Sequence, residues 1–269
     1  MNKAILLGAT GLAVAAGMLA FGFAAGKPQS ATSNPTPQQL ALAAPSAGVD
    51  RGEIEIIIRD YLVRNPDLLI DMQQALEAKQ REEQRVAALE VIRTAGDDIF
   101  NAAYDGVVGN PDGKTTIVEF YDYNCGFCKR AQQDMLALTA ADPELRFVLK
   151  EFPILGPEST KAHVVSMAFR SLMPERFADF HNQLLGAPGR VNEDTAVRIA
   201  VSLGADEAKL REEMKNPAIG AAFEKTYELA NSLAITGTPS YVVGDEVVFG
   251  ALGQEVLAQK IADARGAMN

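Results

Sequence analysis

The stretch Ile117–Arg130, IVEFYDYNCGFCKR, contains both cysteines of a chain of 269 residues, Cys125 and Cys128. The run Thr115–Tyr121 is rich in β-branched and aromatic residues, which is typical of a buried strand, and a helix is predicted from the cysteines to about residue 140. Two cysteines separated by two residues suit a redox pair, half of a metal site, a haem tether or a structural staple.

Three of these alternatives fit the surrounding residues poorly. A haem tether needs a histidine directly after the second cysteine, and position 129 is Lys129. Zinc needs four ligands, and the two histidines, His163 and His181, are much farther apart than the roughly three to five intervening residues of a usual pair. A staple that closes so short a loop gains little from the denatured state. The sequence therefore favours a redox pair that needs no cofactor or metal.

The position of the motif between a strand and a helix supports this redox interpretation. At the helix N-terminus, Cys125 faces unpaired backbone N–H groups and the positive end of the helix dipole, and both favour its thiolate. The thiolate is the nucleophile in disulfide exchange. Cys128 lies one turn further along the helix, where it is shielded and can resolve a mixed disulfide by attacking Cys125.

The rest of the chain predicts an α/β protein. Leu145–Lys150 is the next strand and closes a βαβ unit, residues 157–233 are almost entirely helical, and residues 240–250 form a hairpin that turns on Gly244-Asp245. A CxxC beside a βαβ pattern indicates a thioredoxin-like fold. In TGTPS, residues 236–240, Pro239 enters a strand from a turn that contains glycine, so its peptide bond is a candidate for the cis form.

With these segments in order, the chain resembles the DsbA-like thioredoxin family over residues 97–269. The segments that carry the resemblance are IVEFYDYNCGFCKR, FPILGPES at 152–159 and TGTPSYVV at 236–243. The resemblance implies a domain over 96–269 with a helical insertion at about 157–216. The N-terminal helices resemble those of the disulfide isomerases called suppressor-of-copper-sensitivity protein C, which oligomerise through such an extension.

The resemblance also implies roles for five residues. Cys125 is the attacking thiol, Cys128 the resolving thiol, and Thr238 with a cis Pro239 the lip against which a substrate strand lies. Glu119 matches a buried acid that exchanges a proton with Cys128. The residues alone leave two placements for Glu119: a buried carboxylate with a raised pKa, for which Lys150 is a candidate partner, or a side chain on the solvent face of its strand.

Phe127 departs from the strongly oxidising members of the family, which have a histidine just before the second cysteine. Without that group the thiolate is less stabilised, so the pair is expected to be a milder oxidant. A threonine directly before the proline, here Thr238, also resembles the isomerases of the family more than its strong oxidases. Both features favour an isomerase or reductase; a monomeric dithiol oxidase and a non-catalytic thioredoxin-fold binding module are the alternatives.

The N-terminus predicts export. Residues 4–26 carry no charged side chain and follow Lys3, which is the pattern of a signal peptide or of an uncleaved membrane anchor over residues 1–26. Residues 27–49 are rich in Pro, Ser, Ala and Gln and are expected to form a disordered linker. We therefore expect the body of the protein in the periplasm or on the extracytoplasmic face of a membrane, where a CxxC can hold a disulfide.

Residues 50–95 form a predicted helical segment that precedes the main domain. Asp50 and Glu53 have the spacing of a capping box at the start of a helix. Asn65 is expected to cap a second helix that has Pro66 at its first position. Residues 50–76 carry a dense apolar face, whereas 77–85 are almost wholly polar. Such a short segment cannot bury that face alone. It is expected to mediate homo-oligomerisation; the alternative is that it folds back on the main domain.

The net charge and the predicted export limit which partners the protein can have. The net charge of −10 excludes the basic footprint that non-specific nucleic-acid binding needs. The expected partners are exported proteins with thiols or disulfides, together with a membrane redox partner that reduces or oxidises the cysteine pair.

Overall fold

The computed structural model describes residues 50–267. The predicted leader over 1–26 and the linker over 27–49 lie outside the described residues. The chain divides into two compact units after Arg64, and each is described by itself. None of the helices described between residues 50 and 267 is long and apolar enough to cross a membrane.

Helix α1, Arg51–Arg64, is the described part of the first unit. It begins after Asp50, whose carboxylate accepts the backbone N–H of Gly52 at 3.3 Å, as expected for a capping residue. No residue of α1 is buried. Its large exposed apolar side chains are Ile54, Ile56, Ile57, Ile58, Tyr61, Leu62 and Val63.

Helix α2, Asp67–Thr94, opens the second unit and has two different halves. Pro66 stands directly before the helix with helical backbone angles of −65° and −22°, and Asn65 O accepts the backbone N–H of Leu68 at 3.2 Å. The first half exposes Leu69, Ile70, Met72 and Leu76. Near the other end Ala88 and Ile92 are buried, so that end packs against the body of the second unit.

A five-stranded sheet forms the centre of the second unit. Its strands are β1 Gly106–Gly109, β2 Thr115–Tyr121, β3 Leu145–Glu151, β4 Ser240–Val243 and β5 Glu246–Phe249, in the order β1-β3-β2-β4-β5. β2 and β3 are parallel, and the other pairs are antiparallel. The sequence did not predict β1, because two valines between two glycines are too short a run to show the pattern of a strand.

Helices cover both faces of this sheet. They are α3 Gly96–Phe100, α4 Gly126–Ala141, α5 Pro157–Leu172, α6 Phe177–Leu185, α7 Glu193–Ser202, α8 Glu207–Glu213, α9 Pro217–Ser232 and α10 Gln254–Ala267. One face packs against α4, α10, the helices α5 to α8 and the start of α9. The other face packs against α3, the later part of α9 and the end of α2. The predicted thioredoxin-like α/β fold is confirmed.

Both faces of β2 are therefore buried, and alternation along the strand separates its side chains. Ile117 and Tyr121 belong to the same apolar cluster as the two cysteines, whereas Val118 and Phe120 belong to the cluster on the opposite face. Successive side chains of a strand point to opposite faces, so Glu119 points to the face on which the cysteines lie.

Candidate active site

The two cysteines lie where β2 passes into α4. Cys125 is the N-cap residue of α4, with extended backbone angles of −77° and 115°, and its Sγ accepts the backbone N–H of Cys128 at 3.4 Å. Both are free thiols. Cys125 keeps 5% of its surface exposed and Cys128 none, so of the two sulfurs only Cys125 is open to another molecule.

The two thiols have very different proton affinities. A hydrogen bond from the Cys128 thiol, aided by the backbone N–H groups of Cys128 and Phe127, lowers the pKa of Cys125 to about 5 despite partial burial. Burial is the main cause that raises the pKa of Cys128, and the Cys125 sulfur and the Glu119 carboxylate raise it further. A single negative charge on the pair therefore resides on Cys125, the exposed sulfur.

Glu119 lies buried beneath the pair. Only 4% of its surface is exposed, so its placement on a solvent face is wrong. Burial, together with the negative charges of Cys125 and Asp134, raises the pKa of Glu119 to about 8. At neutral pH this carboxyl group can therefore either hold or release a proton.

Lys150 is not the partner of Glu119. In the parallel ladder Lys150 stands beside Phe120, so its side chain points to the face opposite to that of Glu119. There its ammonium group lies 2.5 Å from the carboxylate of Asp105 and donates to the backbone carbonyl of Asp98. The sequence pattern gave no sign of this pair, because Asp105 lies in the unpredicted segment before β1.

The Thr238–Pro239 peptide bond is cis, as the sequence suggested. Thr238 O lies 3.1 Å from Cys125 Sγ, and Pro239 O accepts the backbone N–H of Gly250 at 2.9 Å. The cis dipeptide thus lies directly beside the exposed sulfur, between α4 and the hairpin. Phe127 is 57% exposed on the other side of the motif, where the Arg130 guanidinium lies 4.3 Å from the centre of its ring.

A set of buried polar residues lies beside the motif, and the sequence pattern predicted none of them, including the two histidines whose spacing argues against zinc. His163 of α5 and His181 of α6 are buried and contact the tyrosines that precede Cys125. Asp122 and Glu151 are also buried. Both stand at the carboxyl ends of neighbouring parallel strands, which meet at one edge of a sheet. That rule was the available signal for these carboxylates.

A thioredoxin-like sheet with a cysteine pair at a helix N-terminus and a cis-proline beside it defines a thiol–disulfide oxidoreductase. The model of the DsbA-like thioredoxin domain matches residues 116–262, and the model of the copper resistance protein ScsC N-terminal domain matches residues 50–83. The chain belongs to the DsbA-like thioredoxin family and carries an ScsC-type N-terminal domain.

Individual relatives agree with this assignment. A solved thioredoxin-like oxidoreductase from Silicibacter pomeroyi is 39% identical, with a TM-score of 0.60, over 63% of this chain and 97% of that one. Proteus mirabilis ScsC in a transitional conformation is 26% identical, with a TM-score of 0.60, over 79% of this chain and 95% of that one. Disulfide bond formation protein D of Bacillus subtilis is 26% identical over 53% of this chain and 68% of its own length.

Another match concerns a much longer protein. The chain is 21% identical to the Na(+)/H(+) antiporter NhaA 3 of Salinispora tropica over 60% of its own residues. It spans 24% of the length of that antiporter.

Proposed function

We propose that the chain exchanges disulfides with the cysteines of other exported proteins, chiefly as an isomerase or reductase. The observation that carries this proposal is the position of the Cys125 thiol at the N-terminus of α4, beside the cis dipeptide Thr238-Pro239. A substrate strand laid against this dipeptide brings its own sulfur to Cys125. In the proposed roles, Cys125 attacks, Cys128 resolves, and Thr238 and Pro239 position the substrate backbone.

The exchange proceeds in two displacements. The Cys125 thiolate attacks a substrate disulfide, whose S–S bond breaks; a mixed disulfide forms and one substrate thiolate leaves. In isomerisation that thiolate attacks another disulfide of the substrate, and a substrate sulfur finally displaces Cys125 unchanged. In reduction Cys128 attacks Cys125, the mixed disulfide breaks and the second substrate thiolate leaves, so the substrate has gained two electrons and the pair becomes a disulfide.

Glu119 is proposed to take the proton of Cys128 when Cys128 attacks. Cys128 is fully buried, and burial opposes formation of its thiolate. Glu119 is the buried carboxyl group whose charge acts on Cys128, and its raised pKa of about 8 makes it a competent acceptor near neutral pH. The same group returns the proton when the pair is reduced.

Two features support the isomerase or reductase over the oxidase. The side chain of Phe127 offers no hydrogen bond or positive charge to the Cys125 thiolate, so the reduced pair is stabilised less than with a histidine at that position. The ScsC-type N-terminal domain adds helices with exposed apolar side chains, which suit the oligomer that would serve an isomerase. The dithiol oxidase stays a second candidate, because the lowered pKa of Cys125 favours the reduced pair and hence an oxidising protein.

Self-association through residues 50–76 is part of the proposal. Eleven large apolar side chains within this range are exposed, in α1 and in the first half of α2: Ile54, Ile56, Ile57, Ile58, Tyr61, Leu62, Val63, Leu69, Ile70, Met72 and Leu76. Apolar surface on this scale marks an interaction site. An oligomer would direct several Cys125 thiolates at one misfolded client.

The cellular setting is proposed from the sequence. Residues 1–26 act as a signal peptide or membrane anchor, so the catalytic unit works in the periplasm or at the extracytoplasmic face. A membrane redox partner keeps the pair in its working state. It reduces the pair of an isomerase and oxidises the pair of an oxidase.

One experiment separates the two candidate directions. The reduced protein is assayed for reactivation of a scrambled disulfide substrate, and the oxidised protein for oxidation of a reduced dithiol peptide. The proposal expects reactivation to dominate and to weaken when residues 50–76 are deleted. Peptide oxidation as the dominant activity, unaffected by the deletion, would establish the oxidase. Cys125→Ser is the inactive control in both assays, and full activity of this variant would exclude thiol exchange at this pair.

A further inference from the structure

Polar side chains hold the segment that leads into the motif, Asp122–Cys125. The Asp122 carboxylate accepts the N–H of Asn124 at 2.7 Å, the N–H of Leu155 at 2.9 Å and the hydroxyl of Ser159 at 2.8 Å. The Asn124 side chain forms a two-point pair with Val191: it donates to the carbonyl at 3.0 Å and accepts the N–H at 2.7 Å. The segment is thereby tied to α5 and to the loop before α7.

The backbone of Tyr123 is held by a histidine. Tyr123 N–H donates to Nε2 of His163 at 3.2 Å, and the imidazole is fully buried. Because Nε2 accepts this bond, it carries no proton, so the proton of the neutral ring is on Nδ1. Nδ1 donates to Oε2 of Glu151, whose other oxygen accepts the hydroxyl of Ser166 at 2.6 Å. Glu151 therefore sets both the orientation and the tautomer of His163.

We propose that His163, oriented by Glu151, is a positioning residue for the nucleophile: its neutral imidazole fixes Tyr123 and with it the approach of Cys125 to the start of α4. The link to the sulfur is short. Cys125 N–H donates to Asp122 O at 2.9 Å, which closes the turn that contains Tyr123. If Tyr123 is released, this turn loosens, and Sγ loses its alignment with the Cys128 N–H that stabilises the thiolate.

Protonation of His163 removes this hold. An imidazolium has N–H groups on both nitrogens, so Nε2–H would face the N–H of Tyr123, and the next acceptor is Asp122 Oδ1 at 3.9 Å. The titratable groups that face His163 are Glu151, Asp122, Tyr121, Tyr123 and His181. Burial lowers the pKa of His163, but the two carboxylates more than offset it, so this pKa is raised. The hold on Tyr123 is thus complete above this pKa and lost as the pH falls through it.

The test compares His163→Leu, which removes the acceptor, with His163→Gln, whose carbonyl can accept from Tyr123 but cannot titrate. His181→Leu is the matched control, because His181 is equally buried and contacts Tyr123 through its hydroxyl at 3.3 Å rather than its backbone. The readouts are the equilibrium constant of the pair with glutathione and the thiolate absorbance of Cys125, both as a function of pH. Thermal unfolding verifies that each variant is folded.

We expect His163→Leu to favour the oxidised pair by about tenfold, which corresponds to a potential lower by about 30 mV, and to raise the pKa of Cys125. His163→Gln should stay within about twofold of the wild type at high pH and lose the change that the wild type shows as His163 protonates. A folded His163→Leu with unchanged equilibrium, or identical pH profiles for wild type and His163→Gln, would overturn the proposal. If His163→Leu does not fold, the pH profile of His163→Gln still tests whether His163 positions Cys125.

The inference rests on the proposed thiol exchange at Cys125 but not on its direction or its clients. The glutathione equilibrium reports on the pair itself, whereas client reactivation reports on the proposed function. If the glutathione equilibrium does not respond to the His163 variants while the wild type reactivates its client, only the role of His163 is rejected.

Discussion

Thr238 O lies 3.1 Å from Cys125 Sγ, although 113 positions separate the two residues in the sequence. The sulfur therefore has two kinds of neighbour: groups that favour the thiolate, among them the Thr238 side chain and the Cys128 N–H, and a carbonyl, to which only the protonated thiol can donate. A substrate strand that pairs with the Thr238 backbone would compete for this carbonyl. With the proposed roles, we expect this oxygen atom to couple substrate binding to activation of the nucleophile.

Loss of Cys128 should trap the reaction halfway. In Cys128→Ser, the Cys125 thiolate still attacks a substrate disulfide, but nothing resolves the mixed disulfide by an intramolecular route. We expect a covalent complex detectable by mass spectrometry under non-reducing conditions, in at least about tenfold higher yield than with the wild type. Cys125→Ser should give no complex; if it does, the buried Cys128 is the attacking thiol and the assignment of roles is reversed.

Replacement of Phe127 by histidine should make the pair more oxidising. A histidine here adds a donor or cation next to the motif, so Phe127→His is expected to lower the pKa of Cys125. It should also shift the glutathione equilibrium toward the reduced pair by about tenfold, or about 30 mV. Phe127→Leu is the control, because it also removes the stacking with Arg130 but adds no polar group. Equal shifts in both variants would mean that the loss of the ring, and not the histidine, changes the potential.

The sequence predicted what local patterns encode. Thr115–Tyr121 is the strand that its β-branched residues indicate, and Cys125 lies at the helix start that its position after that strand implies. The errors concern pairs formed by residues distant in sequence. Lys150 meets Asp105 rather than Glu119, and His163 meets Glu151, because strand register and helix packing decide which buried charges meet. Periodicity in one segment contains no information about either.

Glu119→Gln should slow the resolving step without abolishing attack. The amide cannot take the proton of Cys128, and it removes a negative charge that raises the pKa of Cys128. The expected result in stopped-flow measurements is a mixed disulfide that persists about tenfold to a hundredfold longer, with initial attack unchanged or slightly faster. Glu144→Gln is a control at the protein surface: among residues 50–267, the ion-pair partner of Glu144 is Lys114 at 3.6 Å. Equal lifetimes in the Glu119 and Glu144 variants would exclude Glu119 as the proton acceptor.

A charge placed on α1 should dissociate the proposed oligomer. Ile57 is 64% exposed, so Ile57→Glu has little cost in an isolated helix but buries a charge if this face is an interface. Light scattering should show a change to a lower mass, with the glutathione equilibrium of the pair unchanged. Val201→Glu, at another exposed apolar residue outside α1 and α2, is the matched control. A wild type that already scatters as a monomer would rule out self-association through residues 50–76.

The low pKa of Cys125 should make the contribution of this thiol to the stability of the reduced protein rise with pH. In the folded state this thiol titrates near pH 5, and in the unfolded state near its ordinary value of 9.0, so between these pH values the unfolded chain binds more protons. The free energy of unfolding should then increase by up to about 1.4 kcal/mol per pH unit.

Glu119 acts in the opposite direction: its folded pKa of about 8 exceeds its ordinary 4.5, so its contribution falls as the pH rises between these values. Because the two effects oppose each other and the Cys125 charge itself raises the pKa of Glu119, the comparison is made without this carboxylate: the difference between Glu119→Gln and Cys125→Ser/Glu119→Gln isolates the thiol. Denaturant unfolding of both proteins under reducing conditions, at pH 5 to 8.5, should give a difference that grows steadily with pH. A difference that stays flat would mean that the Cys125 thiolate is no more stable in the folded protein than in the unfolded chain. Its position at the start of α4 would then give it no activation.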